Sequence, residues 1–281
     1  MSSPAKFGIM QGRLSPPEDG RFQSFPRNSW REEFSRTVDA GLDYIEWIFD
    51  GYGASVNPLG TQAGIVELNA LKQQHQIDTP AVCADWFMEF PFLRCTAAVR
   101  EAREEVLHRL VLLAAQIGAT RLVIPIVDNS RIQTEADKDL ILEVMDRALP
   151  VSERAGVELH LETDLNASDF YALLKHIPHP LLKVNYDSGN SSGLGYDVRE
   201  EFAAYGNRIG SIHIKDRLRD SSGRISTQPL GRGSANFEHL FECIRQIGYT
   251  GGVTMQVARG ESGDEVNWIR SQLSFIKRYW Q

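Results

Sequence analysis

Three stretches decide the fold: Val157–Asp164 (VELHLETD), Lys183–Asn190 (KVNYDSGN) and Gly210–Asp216 (GSIHIKD). Each alternates apolar and polar residues with the period of a β-strand, so alternate side chains share a face. Glu158, His160 and Glu162 lie on one such face. Lys183, Asn185 and Asp187 share the next, and Ser211, His213 and Lys215 the third. The intervening Leu159, Leu161, Val184, Ile212 and Ile214 form the opposite, apolar faces. A polar face on three successive strands is costly to bury unless its groups are paired or bound to a cation. Glu162, Asp187 and His213 supply two carboxylates and an imidazole near the strand ends, a donor set suited to a divalent metal with open positions.

Working outward, strand-like and helix-like segments alternate along the whole chain. Strands are expected at Lys6–Gln11, Asp43–Phe49, Ile77–Asp85, Arg121–Ile126, Val157–Leu161, Leu181–Tyr186, Arg208–Ile214 and Gly252–Val257. Helical patterns follow each of them. The longest, Thr96–Ile117, predicts a buried stripe of Val99, Ala102, Val106, Leu110 and Leu113; the last predicts one of Val266, Ile269, Leu273 and Ile276. Eight strand–helix units without a composition break predict one (β/α)8 barrel spanning residues 1–281, with its site at the carboxyl ends of the strands. A doubly wound open sheet is the alternative, but Gly8–Leu14 (GIMQGRL) lacks the glycine spacing of its nucleotide-binding turn.

Composition narrows the function. The chain carries 42% hydrophobic and 24% charged residues, with a formal net charge of −7. That balance disfavours a binder of nucleic acid, which would show a basic face. Cys83, Cys95 and Cys243 have neither pairing nor zinc spacing, so reduced thiols in a cytoplasmic protein are expected. The amino terminus (MSSPAKFGIM) has no apolar signal core, and no apolar run is long enough to cross a membrane.

The chain resembles the xylose isomerase-like barrel superfamily of sugar and sugar-phosphate isomerases and epimerases. The matching pieces are Leu161–Asp164 (LETD), Asn185–Asn190 (NYDSGN), Ile212–Asp216 (IHIKD), Pro229–Phe237 (PLGRGSANF) and Tyr249–Gln256 (YTGGVTMQ). Phe7–Leu14 (FGIMQGRL) and Gly41–Trp47 (GLDYIEW) fit as well, so the likeness covers nearly the whole chain. It implies that Glu162, Asp187 and His213 bind one divalent ion (manganese, magnesium, cobalt or zinc), with a fourth ligand at position 256. Epimerases of this group usually carry Glu there; this chain has Gln256. An amide oxygen can coordinate a hard cation, but it adds no charge and takes no proton at neutral pH.

That departure weakens a symmetric two-base epimerisation and leaves Glu162 as the first candidate for base, with Lys215 and His160 behind it. Glu46, Asp85 and Asn190 are further candidates for contact with the substrate. Arg217, Arg219 and Arg232, with Arg13, Arg224 and Arg259, point to an anionic group on it, because barrels often hold phosphate in the loops after the last strands. Trp47, Phe49, Trp86, Phe87 and Phe90 are candidates to wall the apolar side of a sugar. Singly, each of these residues is as readily an ion pair, a solvated charge or a core contact.

The expectation is therefore a metal-dependent isomerase or epimerase of a sugar or sugar phosphate, with homo-oligomerisation left open. A dehydratase or lyase acting on a keto-sugar is the nearest alternative. Less favoured are an abasic-site endonuclease, which needs more histidines than the seven present, and a non-catalytic sugar-binding barrel.

Overall fold

The computed structural model describes residues 6–280; the amino-terminal reading of Met1–Ala5 lies outside the described residues. Eight parallel strands close a barrel: β1 (Phe7–Met10), β2 (Tyr44–Ile48), β3 (Asp78–Cys83), β4 (Arg121–Ile126), β5 (Glu158–Thr163), β6 (Leu182–Asp187), β7 (Ile209–Ile214) and β10 (Val253–Met255). The ring runs β1-β10-β7-β6-β5-β4-β3-β2, so neighbours in sequence are neighbours in space until β10 joins β7 to β1. The (β/α)8 architecture is as the alternation predicts.

Ten α-helices accompany these strands among the described residues: α1 (Glu32–Ala40), α2 (Gln62–His75), α3 (Trp86–Glu89), α4 (Ala97–Gln116), α5 (Glu135–Ala155), α6 (Ala167–His176), α7 (Ser188–Leu194), α8 (Val198–Tyr205), α9 (Phe237–Gln246) and α10 (Glu265–Lys277). Their ends follow local chemistry. Thr134 and Asp137 form a reciprocal capping box at the start of α5, and Gly156 closes it in the left-handed conformation. The apolar faces of the strands pack outward on the helices. Leu159, Leu161, Ile212 and Ile214 are fully buried. In α10, Ile269, Leu273 and Ile276 are buried and Val266 packs partly against them, as its spacing predicts.

The long helix α4 is rotated from the expected face. Leu107, Leu110, Val111 and Ala114 are buried, whereas Val99 is 41% exposed. Glu104 is a charge on that buried face, and Arg147 of α5 grips it with two hydrogen bonds of 2.6 and 2.8 Å. The buried face is the neighbouring apolar stripe, which shares Leu110 with the expected one.

The short helices α3 and α7 and a hairpin beyond β7 were not legible as such. α7 is a serine- and glycine-rich turn of helix directly after β6. Beyond β7 the chain forms a hairpin, β8 (Asp216–Arg219) paired antiparallel with β9 (Ile225–Gln228), outside the barrel. Asp216 anchors the loop that leaves this hairpin. Its carboxylate accepts backbone N–H bonds from Gly231 (2.9 Å), Gly233 (2.8 Å) and Ala235 (3.0 Å). Asp216→Ala leaves these donors unpaired and should lower the unfolding free energy by about 1–3 kcal/mol. Denaturant titration checks this; an unchanged midpoint would remove Asp216 as the anchor of the loop.

Candidate metal centre

Glu162 of β5, Asp187 at the end of β6 and His213 of β7 converge at the carboxyl end of the barrel. One ligand atom from each lies within 4.8 Å of the others, and all three residues are buried. Register explains the meeting, because Asp187 and His213 are direct partners across β6 and β7. No residue more than these three and their strand ends is needed to make the cluster.

Each ligand is oriented by its own partners. Asp187 Oδ1 accepts from the backbone N–H groups of Gly189 and Asn190, both at 2.8 Å, and so caps α7. Its Oδ2 is buried with no hydrogen-bond partner; the nearby counter-charge is Lys215 Nζ at 3.5 Å. Glu162 accepts from Asn190 Nδ2 at 2.5 Å and from Asn185 Nδ2 at 2.7 Å. His213 Nε2 lies 2.7 Å from Glu46 Oε1, which leaves Nδ1 3.0 Å from Asn185 Nδ2 and 3.4 Å from Glu162 Oε2. Glu46 Oε2 in turn accepts from the Thr254 hydroxyl at 2.8 Å. Burial alone would strip the imidazole of its charge, but the Glu46 and Glu162 carboxylates outweigh it and raise the His213 pKa to about 10. A site that holds a proton this firmly also favours a cation in its place. The orphaned carboxylate oxygen and the carboxylate-oriented imidazole fit a divalent metal held by Glu162, Asp187 and His213.

A second chain of polar contacts runs below the centre. His160, fully buried, lies between Glu158 Oε2 (2.9 Å from Nε2) and Ser211 Oγ (2.7 Å from Nδ1). Ser211 donates to Asn185 Oδ1 at 2.6 Å, which turns the Asn185 amide nitrogen toward Glu162. Space here is tight: a Cβ at Gly210 would come within 2.6 Å of the His160 ring. His160 thus sits beneath the centre and does not line the open cavity.

That cavity, about 170 Å³, is lined by Glu162, Asp85, Asn190, Lys215, Arg217 and Gln256 among others. Lys215 Nζ donates to Gln256 Oε1 at 2.9 Å and lies 3.4 Å from Asn190 Oδ1. The Gln256 oxygen is therefore turned to an ammonium group. Its amide nitrogen donates to Gln23 Oε1 at 2.9 Å, and Gln23 Nε2 donates to Asp85 Oδ2 at 2.7 Å. Burial raises the Asp85 pKa to about 6 against the opposing bonds from Gln23 and Cys83.

The other sequence candidates fall elsewhere. Glu46 is fully buried behind His213, out of the cavity. Arg219 donates to Gly193 O, Arg224 pairs with Asp220, and Arg232 is exposed away from the cavity wall. Arg13 is buried and holds Phe22 O and Gln23, while Arg259 holds Phe22 O and Ser15 O. Trp47 and Phe87 are core residues; the aromatic side chain on the cavity wall is Phe22. Phe22 and Gln23 come from a loop with no periodicity, so no sequence pattern marked them.

Comparison with known proteins places these observations. The family model described as "Xylose isomerase-like TIM barrel" matches residues 34–279. L-ribulose-5-phosphate 3-epimerase UlaE of Escherichia coli K12 is 23% identical over 258 residues, covering 88% of this chain and 89% of its own. The crystal structure of D-psicose 3-epimerase from Clostridium cellulolyticum H10 superposes with a TM-score of 0.77 at 16% identity, covering 98% of this chain and 99% of its own. A structure of L-ribulose 3-epimerase gives a TM-score of 0.78 at 17% identity, covering 98% and 94%.

Glu46 and Glu162 raise the His213 pKa, so a metal ion competes with a proton for Nδ1 and manganese affinity should rise with pH. Calorimetric titration in buffers of different ionisation enthalpy should show proton release on binding that diminishes as pH rises. Glu46→Gln should weaken manganese binding about 10–100-fold. Binding with no proton release at any pH would contradict the raised His213 pKa.

Proposed function

This chain belongs to the xylose isomerase-like TIM barrel family, and we propose that it is a metal-dependent isomerase or epimerase of a ketose or ketose phosphate. The observation that carries this reading is the buried Glu162–Asp187–His213 cluster, whose Glu162 lines a cavity together with Lys215. A divalent ion bound there would supply Lewis-acid polarisation of a carbonyl and its neighbouring hydroxyl. The relatives named above, 3-epimerases of L-ribulose 5-phosphate and of D-psicose, act on ketoses, and this supports the same substrate class here.

Residue roles follow from position. Glu162 faces the cavity with its carboxylate fixed by two amide donors, and it removes the proton from the carbon beside the carbonyl. Lys215, held by Gln256 and Asn190, places a positive charge where enediolate oxygen develops. Arg217 alone among the candidate arginines of the hairpin and its following loop lines the cavity, which supports an anionic end on the substrate, such as a phosphate. Gln256 anchors Lys215 and Gln23 and is neither acid nor base. That last point favours one second reading, loss of water from a keto-sugar, which needs no symmetric pair of bases.

Glu162→Gln should reduce turnover of L-ribulose 5-phosphate, D-psicose or whichever related ketose proves active by at least about 100-fold. Retained turnover would exclude Glu162 as the base. Incubation with a chelator should abolish activity, and added manganese should restore it; release of water instead of an epimer or isomer would favour the dehydratase reading.

A further inference from the structure

We propose that the Asp85 carboxyl is the second proton-transfer group of this site, returning to the substrate carbon the proton that Gln256 has no means to supply. The inference rests on the isomerase or epimerase reading and extends it to a residue on another strand end. Asp85 follows β3 and Glu162 lies in β5, with β4 between them, so the two carboxyl groups reach the same cavity from different parts of its wall.

The surrounding bonds make Asp85 a directed group. Gln23 Oε1 accepts from both Arg13 Nη2 (2.8 Å) and Gln256 Nε2 (2.9 Å). With its oxygen so occupied, Gln23 must present its amide nitrogen to Asp85 Oδ2. The Cys83 thiol lies 3.3 Å from Asp85 Oδ1 and donates to it. A glutamate at position 256 would have no donor for Gln23, so Gln256 and Asp85 are two ends of one arrangement. Charged groups that act on Asp85 are Arg13, Asp50 and Glu162, with Lys215, Arg217 and Asp128 also on the cavity wall.

Other titratable groups in the cavity are less suited. Lys215 is shared among Gln256, Asn190 and Asp187, and Asp128 is exposed to solvent. Burial, reinforced by Asp85, pushes the Cys83 thiol well above its ordinary pKa. The Asp85 carboxyl, raised to about 6, holds and releases a proton near neutrality.

The step balances without an added reagent. The Glu162 carboxylate takes the proton, and the C–H electron pair passes into the enediolate. The Asp85 carboxylic acid then gives its proton to that carbon, the new C–H bond forms, and the carbonyl is restored. Glu162 ends protonated and Asp85 ionised; exchange of one proton through water resets both.

The test uses the manganese-loaded full chain and its Asp85→Asn variant in heavy water, with L-ribulose 5-phosphate, D-psicose and D-tagatose as probes. The wild type should exchange the carbon-bound hydrogen and form product. Asp85→Asn should keep exchange within about 10-fold, through Glu162, while product formation falls by about 100-fold or more. Product within 10-fold of wild type would overturn the role of Asp85 and leave the isomerase reading standing. Loss of exchange and product together, with manganese binding intact, would make Asp85 a binding group and also overturn the proposal. A wild type that neither exchanges nor converts any probe would sink both readings. If Asp85→Asn fails to fold, Asp85→Ala with added acetate serves: restored product formation supports the proposal, and no restoration overturns it.

Discussion

Three buried carboxylates around one imidazole set the terms for this barrel. Glu46, Glu162 and Asp187 are each at most 5% exposed, and the positive groups beside them are His213 and Lys215. Removing a carboxylate from water costs several kcal/mol even after relaxation, and an opposite charge about 4 Å away returns about 4 kcal/mol at the effective dielectric of such sites. The cluster is balanced in part by a proton on His213, in part by directed amides from Asn185 and Asn190, and fully by a divalent cation. The strands beneath support this arrangement: His160, itself held by Glu158, fixes Ser211, and Ser211 orients the Asn185 amide.

Gln256 changes what the rest of the cavity does. A carboxylate at that position would compete with Asp187 for Lys215 and add negative charge to the centre. The amide instead accepts from Lys215 and donates to Gln23, linking β10 to the loop after β1 and, through Asp85, to β3. The mouth of the barrel is thereby tied across its width by neutral amides, while the ionic cluster lies on β5, β6 and β7 with Glu46 of β2 behind His213. Asp85, with a carboxyl pKa of about 6, stands in the same cavity as Glu162 but outside the Glu162–Asp187–His213 cluster.

Much of this was legible from residue order because strand periodicity and barrel closure are local rules. The alternation in Val157–Asp164, Lys183–Asn190 and Gly210–Asp216 placed Glu162, Asp187 and His213 on inner faces, and successive parallel strands must then bring them together. What could not be read were contacts made by chain segments distant in sequence. The apolar count misplaced the buried face of α4 because two neighbouring apolar stripes share Leu110, and packing on the barrel selects the one with Leu107, Val111 and Ala114. Arg219 and Arg232 share a basic region with Arg217, yet hairpin pairing sends only Arg217 to the cavity. Phe22 and Gln23 carry no motif; they reach the cavity because Arg13 and Arg259 pin their loop from two sides.

The most direct measurement is anomalous diffraction at the manganese edge from crystals equilibrated with manganese. The account predicts one strong peak coordinated by Glu162, Asp187 and His213 Nδ1, with His213 Nε2 still on Glu46 and the Gln256 oxygen still on Lys215. A saturated crystal with no peak among these three side chains, or with the ion held elsewhere, would contradict it.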